Sequence, residues 1–310
     1  MTSDAKILVT GVTGTVALPI AKCLAENNEV WGAARFENED SRRAIEQAGI
    51  RPHAIDLQAG ELNSLPGDFT HVLHFAWMRA PIEQLDQAIR VNVEGTGLIL
   101  QHCRNAKAAL VVSSTAVYTG NADAWHLYAE SDPIGSGSSA YTATSPTCKV
   151  GQEAVARFCA RAFDLPVTIA RLNTVYGLDG TYYATMAKCA LKGVPLPYTV
   201  TSDPNPHSPI HTLDMQEQIE ALLGSAGVPA LITNWCGDEL VTTQDVVAQI
   251  ADLSGRPVRL EVREQFGAPA GNAGDTTVRR SITGPCKFAF EPSFSALFRE
   301  NEAAWSGRAS

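Results

Sequence analysis

The sequence has 310 residues, of which 45% are hydrophobic and 18% are charged. This length predicts one large domain or two interleaved domains with a sizeable buried core. The hydrophobic content excludes an intrinsically disordered chain. The net charge of -9 argues against a nucleic-acid partner, because phosphate recognition requires a basic face.

The N-terminal residues and the cysteines bear on the cellular compartment of the protein. The first residues lack the basic start and apolar stretch of a secretory signal, and no apolar run approaches the ~18 residues of a membrane span. The seven cysteines are scattered and include no CxxC pair. We therefore expect reduced thiols in a cytoplasmic protein that has no disulfide framework and no membrane partner.

Short β-branched runs alternate with helical stretches through the first part of the chain. Strands are predicted over 6–11, 29–35, 52–57, 71–77, 109–118 and 167–177, and helices over 16–27, 41–48, 81–105 and 145–163. Strands that alternate with helices favour a parallel sheet that is covered on both faces.

This rhythm changes after residue 177, where a proline-rich stretch begins. Two further helices are predicted near 214–224 and 243–254, with a strand over 257–262. The predicted fold class is α/β, a Rossmann-type doubly wound parallel sheet with a smaller C-terminal substrate-binding part. The Rossmann domain would span 1–177 and be completed by about 210–236, and the substrate-binding part would comprise 178–209 and 237–310.

A glycine-rich loop, TGVTGTVA (10–17), lies between the first strand and the first helix. Gly11 permits a tight turn, and Gly14 lets the backbone approach a pyrophosphate that rests on the helix N-terminus. A glycine turn without a ligand is the alternative. The strand before it and the helix after it favour a dinucleotide site, for which the loop supplies the candidate residues Gly11, Thr13, Gly14, Thr15 and Val16.

The end of the second strand indicates which dinucleotide binds. An acidic residue there would select NAD, but the chain reads GAARF (32–36), with no carboxylate. Arg35 can pair with a 2′-phosphate and stack on adenine, which favours NADP(H) over NAD(H). An exposed arginine with no ligand is the alternative. Asp56 and Leu57 end the third strand and would flank the adenine, unless Asp56 only caps the following turn.

These motifs resemble those of the extended short-chain dehydrogenases/reductases, the NAD(P)-dependent epimerase/dehydratase group. The matching segments follow the family's order over about residues 5–250: ILVTGVTGTVA, IDL, HVLHFAW, NVEGT, VVSSTAVY, CKVGQE, VTIARLNTVYG and PIHTLD. The resemblance implies a nicotinamide-dependent enzyme. It also implies that Ser114 hydrogen-bonds the substrate oxygen, Lys149 binds the nicotinamide ribose, Ala76 contacts the cofactor and Glu153 is the acid that follows the lysine.

The family's catalytic tyrosine is absent from its usual position. Four residues before Lys149, where the family has YxxxK, stands Ser145, and a serine hydroxyl is a far weaker acid than a phenol. Three explanations stay open. Tyr141 supplies the phenol; another donor does so, from among Tyr118, Tyr182, Tyr183 and water; or the site no longer performs ordinary redox chemistry.

The substrate side is expected at the carboxyl ends of the strands. The candidate substrate-binding residues follow the fourth, fifth and sixth strands: Trp77, Arg79, Tyr118, Asn173, Tyr176 and Tyr183. An exposed loop arginine is the alternative for Arg79. Residues 178–212 contain no arginine, whereas sugar-nucleotide enzymes of the family place arginines there, so a smaller and less charged substrate is expected.

Several other chemistries are disfavoured by the sequence. Thr115 and Ala116 stand where the family's 4,6-dehydratases carry Asp-Glu, so that elimination is not expected. Pro209 separates His207 from His211 and no acidic cluster joins them, so no metal site is predicted. There is no GxSxG elbow for a hydrolase triad.

The sequence thus predicts an NADP(H)-dependent oxidoreductase that acts on a small carbonyl or hydroxyl compound. The alternatives are an epimerase, isomerase or lyase that uses bound nicotinamide without net redox change, and an inactive NADP-binding regulatory protein. Family members often dimerise through the helices that correspond to 81–105 and 145–163, so the resemblance implies a homodimer.

Overall fold

The structure is a computed structural model that describes residues 4–62, 64–135, 143–197, 199–263 and 268–307. Within these ranges, seven strands form the central sheet, in the order β11-β6-β5-β4-β1-β2-β3. They are β1 (Lys6–Thr10), β2 (Glu29–Ala34), β3 (Arg51–Ala54), β4 (His71–His74), β5 (Ala108–Ser114), β6 (Val167–Leu172) and β11 (Leu231–Trp235).

The strand order reverses between β3 and β4, which flank β2 and β1 from opposite sides. The pairings β1–β2, β2–β3, β1–β4 and β4–β5 are all parallel, and Ile7 pairs with Val30 on one side and His71 on the other. This is the Rossmann-type doubly wound sheet that the sequence predicts. Ligands of such sheets bind beyond the carboxyl ends of the strands at the reversal point.

Three smaller pairings involve short strands. They are β7 (Val175–Tyr176) with β10 (Ile210–His211), β9 (Pro206–His207) with β12 (Val241–Thr242), and β8 (Thr199–Val200) with β13 (Glu261–Val262).

The described residues also form a set of helices. They are α1 (Ala17–Ala25), α2 (Glu39–Gln47), α3 (Leu85–Ile89), α4 (Gly95–His102), α5 (Ser145–Phe163), α6 (Tyr182–Lys192), α7 (Thr212–Gly224), α8 (Thr243–Ser254), α9 (Thr277–Thr283) and α10 (Phe290–Ser306). Short 3₁₀ turns cover Ile82–Gln84 and Thr115–Val117, and Arg90–Glu94 forms a π-helical turn. None of the helices described is long and apolar enough to cross a membrane.

The chain divides into two compact units. Unit 1 comprises the described residues of 1–114, 142–171 and 216–233, and unit 2 those of 115–141, 172–215 and 234–310. The core of unit 1 packs sheet residues such as Leu8 and Val111 against Ile99 and Ala156 of the flanking helices. In unit 2, α6, α8 and α10 bury Met186, Val246 and Phe294 together.

Two predicted elements differ most from the structure, and the predicted strands 109–118 and 167–177 are also too long, since β5 ends at Ser114 and β6 ends at Leu172. The predicted helix 81–105 is wrong as one regular helix, because the chain passes through a 3₁₀ turn and a π turn before α4 begins at Gly95. The predicted strand 257–262 is too long, since pairing is confined to Glu261 and Val262. Helix 145–163 has the predicted bounds.

Candidate active site

The glycine loop of unit 1 packs directly against the end of β4. Gly11 has a φ of +67°, and a Cβ placed on it would lie 2.7 Å from the Ala76 Cα. Its N–H donates to the Ala33 carbonyl at 2.8 Å, and the Gly14 N–H donates to the Gly11 carbonyl at 2.9 Å. A side chain at position 11 would therefore force the loop away from β4. The structure brings together two predicted cofactor residues, Gly11 and Ala76.

The N-terminus of α1 is open to an anion. Val16 precedes the helix without a side-chain cap, and the first turn contains no acidic residue. Thr13, Gly14 and Thr15 are exposed. The first N–H groups of a helix carry partial positive charge and need acceptors, which a pyrophosphate supplies. These residues fit a dinucleotide.

The ends of β2 and β3 hold the residues predicted to contact the adenosine. The Arg35 side chain is 67% exposed and pairs with Glu37 at 3.2 Å. Asp56 Oδ1 accepts hydrogen bonds from the N–H groups of Gln58 at 2.8 Å and Ala59 at 3.4 Å, so this carboxylate caps the turn, and Leu57 is buried. Because the Arg35 side chain is largely exposed, its guanidinium is accessible to an anion other than the Glu37 carboxylate.

Lys149 is a buried charged residue of unit 1. It lies one turn into α5, is 6% exposed, and its Nζ donates to the Val112 carbonyl of β5 at 2.6 Å. The Trp77 ring centroid is 3.7 Å from the same nitrogen. Burial lowers the pKa of Lys149 to about 7, against the opposing effects of Glu153 and Cys148. Ser145, at the start of α5, is half-buried.

A buried ion pair fixes α5 against β5 and β6. Glu153 accepts from Arg171 Nε at 2.9 Å and Nη2 at 2.8 Å, and from the Ser113 hydroxyl at 2.6 Å. Both charged side chains are 2% exposed. Because Ser113 precedes Ser114 and Val112 binds Lys149, these contacts hold the end of β5 and the first turns of α5 in fixed register.

The loop after β4 is held by one buried amide. Asn92, in the π turn, accepts from the Met78 N–H at 2.7 Å and donates to the Met78 carbonyl at 2.9 Å. The Ala76 N–H donates to Thr10 Oγ1 at 3.2 Å. The two contacts fix the backbone on both sides of Trp77. Arg79, which follows Met78 in this loop, is exposed.

Two predicted substrate-binding residues of unit 2 use their polar groups within that unit. The Tyr118 hydroxyl donates to Asn234 at 2.6 Å, and the side chain is 1% exposed. Asn173 donates to Thr115 Oγ1 at 3.1 Å and accepts from the Ser208 N–H at 3.3 Å. These contacts favour a packing role for Tyr118 and Asn173.

Tyr176 and Tyr183, two further predicted substrate-binding residues of unit 2, are also buried. The Tyr176 hydroxyl donates to the Phe288 carbonyl at 2.9 Å, and burial raises the pKa of this phenol. Tyr183 is fully buried. Burial raises the pKa of Tyr183 as well, so neither phenol is a ready proton donor near neutral pH. Tyr141 lies outside the described residues.

His207 and His211 are held as neutral rings. His207 Nε2 lies 2.9 Å from Asn205 Oδ1, and His211 Nδ1 accepts from the Leu213 N–H at 3.1 Å. Burial lowers the pKa of each histidine to about 4. No cluster of three or more metal-ligating side chains occurs in the part of the chain that the structure describes.

A sequence model of the NAD dependent epimerase/dehydratase family matches residues 7–205, which contain the glycine loop, Lys149 and the Glu153–Arg171 pair. The chain belongs to this family of enzymes. No curated protein matches it in sequence.

Solved structures of other epimerases and dehydratases have the same fold. A Bacillus cereus UDP-glucuronic acid 4-epimerase in complex with NAD matches with a TM-score of 0.81 at 18% identity, over 97% of this chain and 99% of that chain. A dTDP-glucose 4,6-dehydratase from Streptomyces venezuelae with NAD bound matches with a TM-score of 0.80 at 21% identity, again over 97% and 99%. A Thermus thermophilus UDP-glucose 4-epimerase complex with NAD gives 0.78 at 20% identity, over 95% and 99%. At these identities the likeness shows the fold.

Proposed function

We propose that this member of the epimerase/dehydratase family is an NADP(H)-dependent oxidoreductase that reduces or oxidises a small carbonyl or hydroxyl compound. The observation that carries the proposal is the buried Lys149, fixed between β5 and the first turns of α5. A lysine ammonium is strongly hydrated, so its burial is costly, and a buried lysine whose pKa is lowered is typical of a functional site.

The preference for NADP(H) rests on Arg35 and its surroundings. Its partner Glu37 is 73% exposed, and a solvent-exposed ion pair of this kind contributes little stability. A 2′-phosphate can therefore replace Glu37 at the guanidinium at small cost and gain charge-assisted hydrogen bonds. The solved neighbours named above bind NAD, which makes NAD(H) the competing cofactor.

The Arg35→Ala variant tests the cofactor preference by calorimetric titration. Loss of a hydrogen bond to a charged group costs about 1.5–3 kcal/mol, so NADPH affinity should fall about 10- to 150-fold. NADH affinity should stay within about twofold. The matched control is Arg42→Ala, which removes another exposed arginine from an ion pair, on α2. Equal losses for both nucleotides would contradict the preference.

In the proposed reaction, Lys149, Ser114 and a general acid have separate roles. A bound nicotinamide supplies hydride to the carbonyl carbon on reduction and takes it back on oxidation. Lys149 holds the ribose hydroxyls and, as a cation, lowers the pKa of a neighbouring acid. Ser114, at the end of β5, orients the substrate oxygen. On reduction the acid would transfer its proton to that oxygen, and on oxidation it would take the proton back.

Tyr141 is proposed as this acid, because it lies four residues before Ser145 and is a phenol. The Tyr141→Phe variant should lose at least about 100-fold in kcat, as expected for removal of a general acid. Ser145→Ala is the comparison and should change kcat by less than about tenfold, since a serine hydroxyl is a poor acid near neutral pH. Unchanged turnover in Tyr141→Phe would eliminate this assignment.

The substrate is proposed to be smaller than a nucleotide sugar. Residues 178–212 contain no arginine, and the Asn173 side chain is occupied by Thr115, Ser208 and backbone groups. A nucleotide diphosphate needs cationic or amide donors. UDP-glucuronic acid, bound by the Bacillus cereus epimerase, should therefore be neither bound nor converted.

The second candidate function, favoured by membership of the epimerase/dehydratase family, is isomerisation with only transient use of the nicotinamide. Absorbance at 340 nm, followed while small carbonyl compounds react, separates the two. Net loss of NADPH supports the oxidoreductase. Product formation at constant absorbance supports an epimerase, isomerase or lyase. Binding of NADPH without conversion of any compound supports the regulatory alternative.

We also propose a cytoplasmic homodimer. All seven cysteines are free thiols, which suits a reducing compartment. Phe158, on the outer face of α5, is 66% exposed, and an exposed aromatic ring on a helix is typical of a contact surface. Light scattering should give twice the chain mass of 33.1 kDa, and Phe158→Lys should shift it towards one chain. A monomeric wild type would contradict the dimer.

A further inference from the structure

In unit 1, a series of buried polar side chains is connected by hydrogen bonds from Thr10, at the start of the glycine loop, to Lys149. Thr10 Oγ1 lies 2.8 Å from His74 Nδ1, and His74 Nε2 lies 2.9 Å from Thr96 Oγ1. Gln152 Nε2 donates to the same Thr96 oxygen at 3.1 Å, and Lys149 Nζ donates to Gln152 Oε1 at 2.9 Å. Every member is at most 6% exposed, so each polar atom depends on its protein partner.

The donors and acceptors of this line have one consistent assignment. The Thr96 hydroxyl donates its single proton to the Asn92 carbonyl at 2.7 Å, so its oxygen only accepts from His74 and Gln152. His74 therefore carries its proton on Nε2 and accepts from the Thr10 hydroxyl at Nδ1. Burial, reinforced by the charge of Lys149, lowers the pKa of His74 to about 3, which keeps the ring neutral.

The same assignment fixes the amide of Gln152. Its NH₂ group donates to Thr96, so its carbonyl oxygen must face Lys149. Lys149 has three protons: one goes to Val112, one to Gln152, and the remaining side of the ammonium faces the Trp77 ring. Gln152 is thus the only side chain among the described residues that gives Lys149 a hydrogen-bond acceptor.

The charged and titratable groups around Lys149 are few among the described residues. On α5 they are Cys148 and Glu153, on β4 His74, and on β6 Arg171, which neutralises Glu153. Because Glu153 is bonded to Arg171 rather than to Lys149, the dipole of the Gln152 amide is the nearest side-chain group that stabilises the charged lysine.

We propose that Gln152 is a positioning residue, whose carbonyl oxygen holds the Lys149 ammonium in its place and in its charged form. Thr96 and His74 in turn hold the Gln152 amide in the required orientation. The importance for catalysis of the positioning of Lys149 by Gln152 rests on the proposed function, in which Lys149 binds the cofactor ribose.

The direct test measures the pKa of Lys149 in the cofactor-free protein by NMR, from lysine labelled with ¹³C at Cε and assigned through Lys149→Arg. Gln152→Met keeps the length of the side chain but removes the acceptor. Since a hydrogen bond to a charged group is worth about one pKa unit or more, the pKa of Lys149 should fall by about one unit. Gln152→Glu keeps an acceptor and adds a negative charge, so it should raise that pKa above the wild-type value.

The matched control is Gln249→Met. This glutamine lies on α8 in unit 2 and donates its amide to the Glu291 carbonyl and Ser295 at 2.9 Å. The variant should leave the pKa of Lys149 unchanged. Circular dichroism establishes that each variant is folded. If Gln152→Met fails to fold, Gln152→Leu, which also lacks the acceptor, should lower the pKa of Lys149 in the same way.

NADPH binding across pH supplies the second readout. A fall of one unit in the pKa of Lys149 lowers its charged fraction about tenfold well above pH 7, and hardly at all near pH 5. Gln152→Met should therefore weaken NADPH binding up to about tenfold at pH 8.5 and less than twofold at pH 5.5. A purely structural role would lower affinity equally at both.

The outcomes separate the two proposals. A shifted pKa of Lys149 in a protein that binds no NADPH supports positioning and contradicts the proposed function. An unshifted pKa of Lys149 in a folded Gln152 variant that lacks the acceptor, with NADPH bound normally by the wild type, overturns the positioning role and leaves the proposed function intact.

Discussion

Replacing Glu153 by glutamine should cause a large loss of stability. Glu153 and Arg171 are each 2% exposed and joined by two hydrogen bonds of 2.8–2.9 Å, and Ser113 also donates to the carboxylate. Glutamine preserves the shape but leaves the buried Arg171 charge without its carboxylate. Removing one partner of a buried ion pair costs about 3–5 kcal/mol. At about 2–4 °C per kcal/mol for a large domain, the melting temperature should fall by about 6–20 °C.

The assay is thermal unfolding followed by circular dichroism, beside Glu46→Gln as control. Glu46 pairs with Arg42 on the surface of α2 at 3.3 Å and is 49% exposed, so its loss should cost less than about 0.5 kcal/mol. The double variant Glu153→Gln, Arg171→Met should recover much of the loss, because the buried charge is gone as well. A Glu153→Gln variant as stable as Glu46→Gln would refute the reasoning.

Two further predictions concern the glycine loop and acid stability. Gly11→Ala should lower the free energy of unfolding by at least twice as much as Gly49→Ala, for which about 1 kcal/mol is expected, in urea titrations. Both residues have positive φ, but only Gly11 would collide with a neighbour, Ala76; equal losses would contradict the packing. Burial lowers the pKa of His74 to about 3 and of His207 and His211 to about 4. The unfolded chain therefore binds protons that the folded one does not, and stability present above pH 6.5 should be lost towards pH 4, by about 1.4 kcal/mol per pH unit for each histidine. If the free energy of unfolding were constant from pH 7 to pH 5, the pKa values of these histidines would not be lowered in the folded protein, and the prediction would be wrong.

The sheet could be predicted because local and global signals agree there. KILVTG and ALVVSS are β-branched runs that become β1 and β5, and Ser-Pro at the start of α5 marks the helix at its observed first residue. The edge strand β11, LITNW, was not predicted, since a run of five residues does not by itself distinguish a strand from a helix. In α10, Phe290, Phe294 and Phe298 recur every four residues, a helical signal that the prediction did not use.

The candidate site was predictable only where a motif carries it. Gly11 and Lys149 follow from motifs, but Gln152 does not, because its role depends on Thr96 and Lys149 meeting in space. The π turn at Arg90–Glu94 was also missed, since apolar spacing does not reveal a local change of helical pitch.

The measurement that tests the central claim most directly is a fluorescence titration of the protein with NADPH and, separately, NADH. The five tryptophans serve as energy donors, and Trp77 lies beside Lys149. We predict saturable binding of both nucleotides at one site per chain, with NADPH the tighter. Tighter NADH binding would contradict the assignment of Arg35 but keep the site. If neither nucleotide binds, the dinucleotide site and the proposed function are wrong.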